Sequence, residues 1–432
     1  MKARRAAPVL WAAVLAGVAA ALPAARAPGA EEELARQLAG AASEGLATRP
    51  GDLRVPTVSP ARDAAPLYRE LAAVLERRPP SPAEKRLMAS IAAGRPVPHA
   101  ATWRLEALAR AHPRALELAR RAAALPACAF SRDWSAGAAT PLPEYGAMRR
   151  AMAMLCAEAL ARRRAGHALD AVRTQALGFR MAAHASAEPG LMPYLAATAL
   201  DTMTLAGLDR LLRSAPDEPR VAAAVREAVR VGWRPRSLAR GVRGETLMAV
   251  LAIEAMRKGG PPAESPGAQG GRGAYDALVD RNGAAVIAAL RRMARAGDLP
   301  YRRADTAMKA VLASFDADDP AHILGREVLR VYERLPERRA LVRARAHVLS
   351  AAAATLAYRA RGGAPPERLT QAVAPAPADP FAEGPLAYRR DGAGFVVYSV
   401  GPGGAFDGRA PGFSTWEREA LFLFPAPVYL QP

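Results

Sequence analysis

Apolar residues recur every three or four positions through most of this chain. An early instance is the set Leu67, Leu71, Val74 and Leu75. This spacing is typical of amphipathic α-helices, because it places the apolar side chains on one helix face. Prolines fall between the periodic segments and mark the helix boundaries. The pattern therefore predicts an α-helical domain over residues 61–361, made of helices joined by short turns.

The positions of the breakers delimit the individual helices of this domain. From residue 144 onward, the predicted helices cover residues 144–164, 167–186, 190–213, 217–232, 237–257, 274–297, 303–314, 320–334 and 338–361. Short connections bring consecutive helices together as antiparallel pairs. We therefore expect a mainly α fold, either an irregular helical bundle or an α-solenoid, with a concave surface as its binding face.

Two segments depart from this rhythm. Residues 259–273 are rich in Gly and Pro, a composition that favours a mobile loop. Residues 28–60 contain one predicted short helix, over 31–47, followed by prolines that are typical of a linker. The sequence thus predicts a linker before the helical domain and one long loop within it.

The apolar period changes after residue 361. Leu386-Ala387-Tyr388 and the run 395–400 are rich in β-branched and aromatic residues, and the turn 389–394 between them contains Gly392 and Gly394. Such a pattern predicts a β-hairpin. A further apolar run at 420–425 predicts a third strand. Residues 362–432 are therefore expected to form a small C-terminal α+β module.

The N-terminus has the pattern of an export signal. Basic residues at positions 2, 4 and 5 precede an uncharged run over 6–25, and small residues flank a cleavage position at Ala27. This pattern predicts a signal peptide over residues 1–27. Pro28 directly after that position disfavours cleavage, so an uncleaved inner-membrane anchor stays open as the alternative. Either interpretation predicts an exported protein, periplasmic or extracellular.

The charge balance is strongly basic. The 432 residues carry a formal net charge of +19, and nearly all of the positive charge is arginine. Two interpretations stay open: solvated helix faces, or an anionic envelope polymer or lipid as partner. Nucleic acid is disfavoured, because the 6% of aromatic residues do not alternate with basic residues. The lysines are Lys2, Lys85, Lys258 and Lys309.

The chain contains two cysteines, Cys128 and Cys156. In an oxidising compartment a lone pair of this kind is a candidate disulfide. The alternative is that Cys156, within an apolar helical run, is a buried small apolar residue. Two cysteines without a nearby histidine do not make a structural zinc site.

The C-terminal segment has a recognisable order of motifs. A long helix ending near Tyr358 leads to a turn with Gly363, and then come Asp379-Pro380-Phe381, Tyr388 and Tyr398-Ser399-Val400-Gly401. This order resembles the C-terminal module of the major pseudopilins of type II secretion systems. The prepilin Gly-Phe-Thr-x-x-x-Glu leader is absent, and a long helical domain precedes the match. We therefore expect a large secreted bacterial helical protein that ends in such a module, and not a pilus subunit.

The resemblance also implies a candidate cofactor. In pseudopilins the terminal Gly/Asp-rich loop holds a structural calcium ion. Here the loop over 401–412 contains Asp407 as its only acid, with Arg409 close behind it. Calcium prefers six to eight oxygen ligands, several of them anionic. Asp407 is therefore either a ligand of a weak calcium site or an ordinary turn residue, and no other cofactor is predicted.

The remaining candidate chemistry is sparse. Arg240 and Arg243, in the sequence Arg-Gly-Val-Arg-Gly-Glu, are a candidate anion site at a helix start. The acids at 316–319 precede Pro320, which favours a helix cap at Asp319 over a cation site. Six scattered histidines form no helical zinc motif, and no nucleophile elbow is present. We find no catalytic residues and no metal ligands in the sequence.

Three glutamates lie in apolar or basic helical surroundings, Glu158, Glu188 and Glu245. They are either a buried functional set or partners of arginines on helix faces. The sequence as a whole favours an exported, non-enzymatic helical protein of the cell envelope that binds or scaffolds a partner. Two alternatives stay open: a helical envelope enzyme acting on glycan or another polymer, and a basic adhesin for anionic polymers.

Overall fold

The fold is mainly α-helical. The computed structural model describes residues 29–92, 102–261, 271–315, 319–405 and 421–424. Within these ranges the helices are α1 Ala30–Ser43, α2 Ala65–Arg77, α3 Pro82–Ala92, α4 Thr102–Ala111, α5 Pro113–Ala124, α6 Pro143–Arg164, α7 Ala168–Ala185, α8 Leu191–Arg213, α9 Pro219–Gly232, α10 Leu238–Gly259, α11 Gly271–Ala296, α12 Tyr301–Ala313, α13 Ile323–Leu329 and α14 Leu335–Gly362. The strands are β1 Ala387–Asp391, β2 Gly394–Tyr398 and β3 Leu421–Phe424. The predicted mainly α fold with a small C-terminal β-hairpin is confirmed.

Several sequence predictions lie outside the described residues. These are the leader over 1–27, the centre of the predicted loop at 262–270, Asp316 and Asp318 of the alternative cation site, and the calcium candidate Asp407. The two ends of the predicted loop are helical, because Gly259 closes α10 and Gly271 opens α11. Among the helices that the structure describes, none combines the length and the apolar character needed to cross a membrane.

Local side-chain chemistry sets several helix ends. Ahead of α3, the Ser81 hydroxyl accepts from the Glu84 N–H at 3.2 Å, and the Glu84 carboxylate accepts from the Ser81 N–H at 2.6 Å. This reciprocal pair is a capping box. At the other end of the chain, α14 stops at Gly363, whose φ of 73° requires the left-handed conformation that glycine adopts readily. Short-range signals of this kind explain why most boundaries were predictable.

The helix predicted over 320–334 is broken into three pieces. Pro320–His322 and Arg330–Tyr332 are 3₁₀ turns on either side of the short α13. Asn282 of α11 causes part of this break, since its side chain accepts from the Leu324 N–H at 3.1 Å and donates to the Pro320 carbonyl at 2.9 Å. A tertiary partner thus replaces the backbone partners that a continuous helix would supply.

Helix α6 is at the centre of the largest apolar core. Most of its residues from Ala147 to Ala159 are buried, including Met148, Met152 and Cys156. Residues 151–157 are all apolar and all buried, so this part of α6 is enclosed by the protein on every side. Helix α7 comes very close to α8, because a Cβ at Gly178 would overlap the Thr204 hydroxyl.

Helix α1, predicted within the linker 28–60, packs on the helical body. Leu34 and Ala41 belong to the same apolar cluster as residues of α10 and α11. Arg291 of α11 donates from Nε to the Glu44 carboxylate at 3.0 Å. The segment before residue 60 is therefore part of the folded core along its first helix.

The three strands form one antiparallel sheet in the order β1-β2-β3. Asp391 pairs with Gly394, and Gly392 has a φ of 55°, which is the glycine conformation that the predicted hairpin turn requires. Phe395 and Val397 of β2 are buried in an apolar cluster shared with α7, α8, α9 and α14. The C-terminal module thus packs directly on the helical body.

Candidate functional site

The main candidate site is a cleft between the helical body and the C-terminal module. Its volume is about 230 Å³. Five parts of the chain line it: α8, the α9–α10 connection, the α11–α12 connection with the start of α12, α14, and residues 378–382 of the module. We call it the junction cleft. It is concave, and it lies where separate parts of the fold meet, as ligand sites commonly do.

Helix spacing explains the inner wall of the junction cleft. Tyr194, Thr198 and Asp201 of α8 lie four and three residues apart, so they share one helix face. Arg339 and Arg343 of α14 are likewise four residues apart and face the same space. The two helices supply the polar groups, while the connections close the cleft on its other sides.

Asp201 and Arg236 form a buried ion pair in this wall. The guanidinium donates from Nε to Oδ2 at 2.7 Å and from Nη2 to Oδ1 at 3.0 Å. The Asp201 side chain is 0% exposed and that of Arg236 is 10% exposed. Burial raises the pKa of Asp201 to about 6, although Arg236 acts in the opposite direction. Both carboxylate oxygens are thus already occupied.

The other two acids of the junction cleft also have partners. Asp298 accepts from the Leu238 N–H at 2.9 Å and from the Ser237 hydroxyl, so it caps the start of α10. Arg339 lies with its Nε 3.6 Å from Asp298 Oδ1. Asp379 is buried and accepts from the Ser399 hydroxyl at 2.7 Å. These contacts hold elements of the fold together.

Several hydrogen-bond donors of the junction cleft have no partner among the described residues. They are the Tyr194 hydroxyl, the Trp233 Nε1 and the Arg339 Nε, all of them buried atoms. Tyr194 is only 4% exposed, and burial raises its pKa to about 12. Arg343 is exposed at the cleft and forms no ion pair within the part of the chain that the structure describes. The cleft therefore combines occupied acids with unpartnered donors.

Aromatic rings and prolines form the apolar part of the lining. Tyr301 meets Phe381 edge-on with ring centroids 4.7 Å apart, which joins α12 to the module. Trp233 meets His347 edge-on at 6.0 Å. An open groove of about 310 Å³ lies on the other side of Trp233, between the α9–α10 connection and α14. Trp233 thus separates two adjoining concavities.

The predicted disulfide is not formed in this structure. Cys128 and Cys156 are both free and buried. Their surroundings differ. Cys156 lies on α6, and its Sγ accepts a hydrogen bond of 3.4 Å from Gln175 Nε2. Cys128 instead lies close to Asp63, Glu188 and Arg132. Burial raises the pKa of both thiols. The alternative interpretation, a buried apolar cysteine, describes Cys156.

The predicted anion site at Arg240 and Arg243 is not built. Both side chains are exposed, and Arg240 donates to the Ala187 carbonyl. The adjacent glycines have a packing role, because a Cβ at Gly244 would lie 2.7 Å from Gly190 Cα. The Gly-x-x-Gly spacing lets α10 approach the start of α8, and it forms no loop around a ligand.

The three glutamates do not meet in one site. Glu158 pairs with Arg120 and Arg162. Glu188 accepts from Arg132 Nε at 2.8 Å and from the Tyr145 hydroxyl. Burial raises the pKa of Glu188, although Arg132 opposes the shift. Glu158 and Glu188 are therefore partners of arginines, which is the interpretation that the sequence favoured.

Glu245 differs from the other two glutamates. Its Oε1 accepts from the Leu191 N–H at 2.9 Å at the start of α8, and burial raises its pKa. Asp319 forms the predicted cap, accepting from the Ala321 N–H at 2.8 Å. Within the described residues, no three His, Cys, Asp or Glu side chains come together as a metal site would require.

Sequence reasoning missed the residues of the junction cleft. Asp201 is an acid inside an apolar stretch of α8, and Trp233 begins the Trp-Arg-Pro-Arg break before α10. Both are signals of a buried polar site, but nothing in the sequence pairs them. Comparisons of this chain with protein-family models, curated proteins and solved structures found no match.

Proposed function

We propose that this chain is an exported, non-catalytic helical protein of the cell envelope that works by binding, with the junction cleft as its binding site. The observation that carries the proposal is the state of the polar groups in the cleft. Its three carboxylates have partners within the fold, whereas the Tyr194 hydroxyl and the Trp233 Nε1 have none among the described residues. With its acids engaged and these donors buried, the cleft offers a ligand mainly its aromatic and proline walls, which are the usual lining of a small-molecule binding site.

The same contacts favour binding over hydrolysis. A glycosidase commonly needs two carboxyl groups that reach the scissile bond from either side. In the junction cleft Asp201 is held by Arg236, Asp298 caps α10 and Asp379 holds the end of β2. A carboxylate whose oxygens are committed to fold contacts is poorly placed to transfer protons or attack a substrate.

The N-terminal leader and the C-terminal module supply the other two parts of the proposal. The leader over 1–27 supports delivery to the envelope. The order of helix, Asp-Pro-Phe segment and paired strands supports a C-terminal module that resembles that of the major pseudopilins. In this proposal the module has a structural role, because Ala378 and Pro380 supply one side of the binding cleft.

A cleft-filling variant tests the binding role. The purified mature protein is titrated with benzoate, benzamide, benzyl alcohol and N-acetylglucosamine, and the melting temperature and tryptophan fluorescence are recorded. We expect at least one probe to bind the wild type, and Ala382→Trp to abolish this binding by filling the cleft. Ala393→Trp, at the exposed tip of the hairpin, is the matched control and should bind like the wild type.

Two results would overturn the proposal. One is that no probe binds, or that Ala382→Trp binds as well as Ala393→Trp. The other is turnover of an envelope glycan by the purified protein. Binding of an anionic polymer that is lost between low and moderate salt, and is unaffected by Ala382→Trp, would instead identify the basic adhesin.

Export is tested separately by measuring the mass of the protein recovered from the periplasm, which should lack residues 1–27.

A further inference from the structure

The groove on the other side of Trp233 is a concavity separate from the junction cleft. It has a volume of about 310 Å³ and lies open between the α9–α10 connection and α14. We call it the outer groove. Among the described residues that line it are two arginines, Arg230 and Arg234, and no aspartate or glutamate.

The two arginines of the outer groove differ in what already holds them. Arg230 donates to the Glu227 carboxylate from Nε at 2.8 Å and from Nη2 at 2.6 Å, so its charge is balanced. Arg234 is exposed and forms no ion pair within the part of the chain that the structure describes. A ligand in the outer groove therefore meets one unbalanced and reachable cation, Arg234.

Backbone contacts hold the guanidinium of Arg234 in place. Its Nη1 donates to the Trp233 carbonyl at 2.7 Å and to the Arg230 carbonyl at 2.9 Å. These neutral acceptors orient the side chain without cancelling its charge. Its Nε and Nη2 have no partner among the described residues. These two nitrogens form one edge of the planar group, and their parallel N–H groups match two oxygens of a carboxylate or a phosphate.

The same edge of an arginine already holds a carboxylate elsewhere in this protein. Arg236 donates from Nε and Nη2 to the two oxygens of Asp201 at 2.7 and 3.0 Å. In Arg234, two residues earlier, this edge is left open. An oxyanion of a ligand can therefore take the place that Asp201 has on Arg236.

The opposite wall of the outer groove adds no accessible negative charge. His347 Nδ1 donates to the Ala378 carbonyl at 2.7 Å, and burial lowers the pKa of His347, with Arg343 acting in the same direction. Asp379 opposes this shift, but it is only 3% exposed and accepts from the Val400 N–H and two further donors. An anion in the outer groove therefore meets no exposed carboxylate on this wall.

The rest of the lining suits a sugar ring. Trp233, Pro235 and Pro377 supply apolar ring surfaces, against which the C–H groups of a sugar can pack. Ser350 of α14 supplies a hydroxyl, which both donates and accepts hydrogen bonds. Because the groove is open, a sugar bound in it can continue as a chain on either side.

We infer that the outer groove binds an acidic sugar, with the carboxylate or phosphate of the sugar on the Nε and Nη2 edge of Arg234 and its ring against Trp233. This inference goes beyond the proposed function, because the outer groove and the junction cleft are separate concavities. A uronic acid and a sugar phosphate share the required oxyanion chemistry. Binding involves no chemical step.

Matched ligand pairs test the charge requirement. Isothermal titration of the purified mature protein, at about 0.15 M salt to screen diffuse surface attraction, compares trigalacturonate with its methyl ester and glucose 6-phosphate with glucose. We expect at least one acidic ligand to bind about tenfold or more tightly than its neutral partner. The pair that shows the difference identifies a uronate or a phosphate as the recognised group. Equal affinities within both pairs would overturn the inference.

Variants of one arginine test the contact. Arg234→Gln should weaken binding of the acidic ligand about tenfold or more and leave its neutral partner unaffected. Arg234→Lys keeps the charge but lacks the paired N–H edge, so it should bind the acidic ligand less tightly than the wild type. Arg226→Gln, at an exposed arginine of α9 that does not line the groove, is the matched control and should bind like the wild type.

Two results with these variants would overturn the inference. Equal weakening by Arg234→Gln and Arg226→Gln would show attraction spread over the basic surface. Loss of the acidic and the neutral ligand alike in Arg234→Gln would show that Arg234 acts only by positioning Trp233.

The cleft-filling variant separates this inference from the proposed function. Ala382→Trp fills the junction cleft and should leave acidic-sugar binding unchanged, because the outer groove lies on the other side of Trp233. Loss of acidic-sugar binding in Ala382→Trp would place the sugar in the junction cleft and overturn the inference. Acidic-sugar binding that survives Ala382→Trp, with no probe bound in the junction cleft, would support the inference and overturn the proposed function.

Discussion

The carboxylate of Asp379 accepts a hydrogen bond of 2.7 Å from the hydroxyl of Ser399, which lies 20 residues further along the chain. The same carboxylate accepts from the Val400 N–H at 2.8 Å. The Asp-Pro-Phe segment and the Tyr-Ser-Val-Gly segment, which carried the resemblance to pseudopilins, are thus joined by one buried acid. This contact fixes the side of the junction cleft that the module supplies.

Replacing this acid should loosen the module. In Asp379→Asn the amide group has one acceptor oxygen where the carboxylate has two, so one donor among Ser399, Val400 and Phe381 is left unsatisfied. We expect a loss of about 1–3 kcal/mol in the free energy of unfolding, measured by urea denaturation. Asp391→Asn, an exposed acid on β1, is the control and should change stability little. Equal effects of the two changes would contradict the role given to Asp379.

The buried pair of Asp201 and Arg236 should be strongly coupled. Arg236→Gln leaves the Asp201 carboxylate buried without its cation, and removal of one partner of a buried pair costs about 3–5 kcal/mol of unfolding free energy. The double variant Asp201→Asn with Arg236→Gln should cost less than the sum of the single changes. A double-mutant cycle by chemical denaturation measures this coupling, and additive effects would show that the pair is not coupled.

His184 should make stability depend on pH. Its Nδ1 lies 3.0 Å from the Tyr68 hydroxyl and its Nε2 lies 3.1 Å from the Leu125 carbonyl, so the neutral ring satisfies both groups. Burial lowers the pKa of His184 from 6.5 to about 4. The stabilisation by the neutral ring is therefore complete above pH 6.5 and is lost as the pH falls toward 4.

The variant His184→Gln isolates this effect. It should be less stable than the wild type at pH 7.5, and the difference in unfolding free energy should narrow as the pH falls from 6.5 to 4. Denaturation curves at each pH measure the difference in unfolding free energy. Asp201 and the other titratable groups are common to both proteins, so their contributions cancel in this difference. A difference that stays constant over this range would contradict the lowered pKa of His184.

The close approach of α7 and α8 predicts a different result for two glycines. A Cβ at Gly178 would overlap the Thr204 hydroxyl and lie 2.6 Å from Met152 Sδ, whereas a Cβ at Gly146 of α6 meets nothing within 4 Å. Gly178→Ala should therefore destabilise the protein by about 1–3 kcal/mol through overpacking. Gly146→Ala should be neutral or stabilise it by up to about 1 kcal/mol, because alanine favours the helix. Thermal or chemical denaturation measures both.

The two cysteines should behave as buried free thiols. A thiol reagent should label neither Cys128 nor Cys156 in the native protein and both after unfolding, since both are buried and burial raises the pKa of each. Reduction should leave the mass and the melting temperature unchanged. An intact mass that rises by two hydrogens on reduction would show that the pair is bridged.

Helices were predictable because their signals are local. The period of apolar residues placed α6 to α12 and α14 to within a few residues, and the capping box that begins α3 involves only Ser81 and Glu84, three residues apart. The break at α13 was not predictable, because it depends on Asn282 of another helix. The hairpin was predictable from its β-branched and aromatic residues and from Gly392 in the turn.

The site was not predictable, because its residues are brought together by packing. Asp201 and Arg236 are 35 residues apart, and the cleft also needs Arg343 from α14 and Pro380 from the module. The features that stood out in the sequence have other roles. The Gly-x-x-Gly motif in the first turns of α10 is a helix contact, and Glu188 is the partner of Arg132.

The sequence by itself determined the mainly α architecture, the C-terminal hairpin and most helix ends, since periodicity, caps and turn glycines act over a few residues. Only the tertiary structure decided which acids are held by partners and which donors are left without one. The physical reason is that pairing and burial depend on contacts between distant segments. The sequence shows only that Asp379, Asp298 and Asp201 are acids. The fold shows that each of them is hydrogen bonded within the protein. It also shows that Arg343 faces the cleft without an ion-pair partner among the described residues.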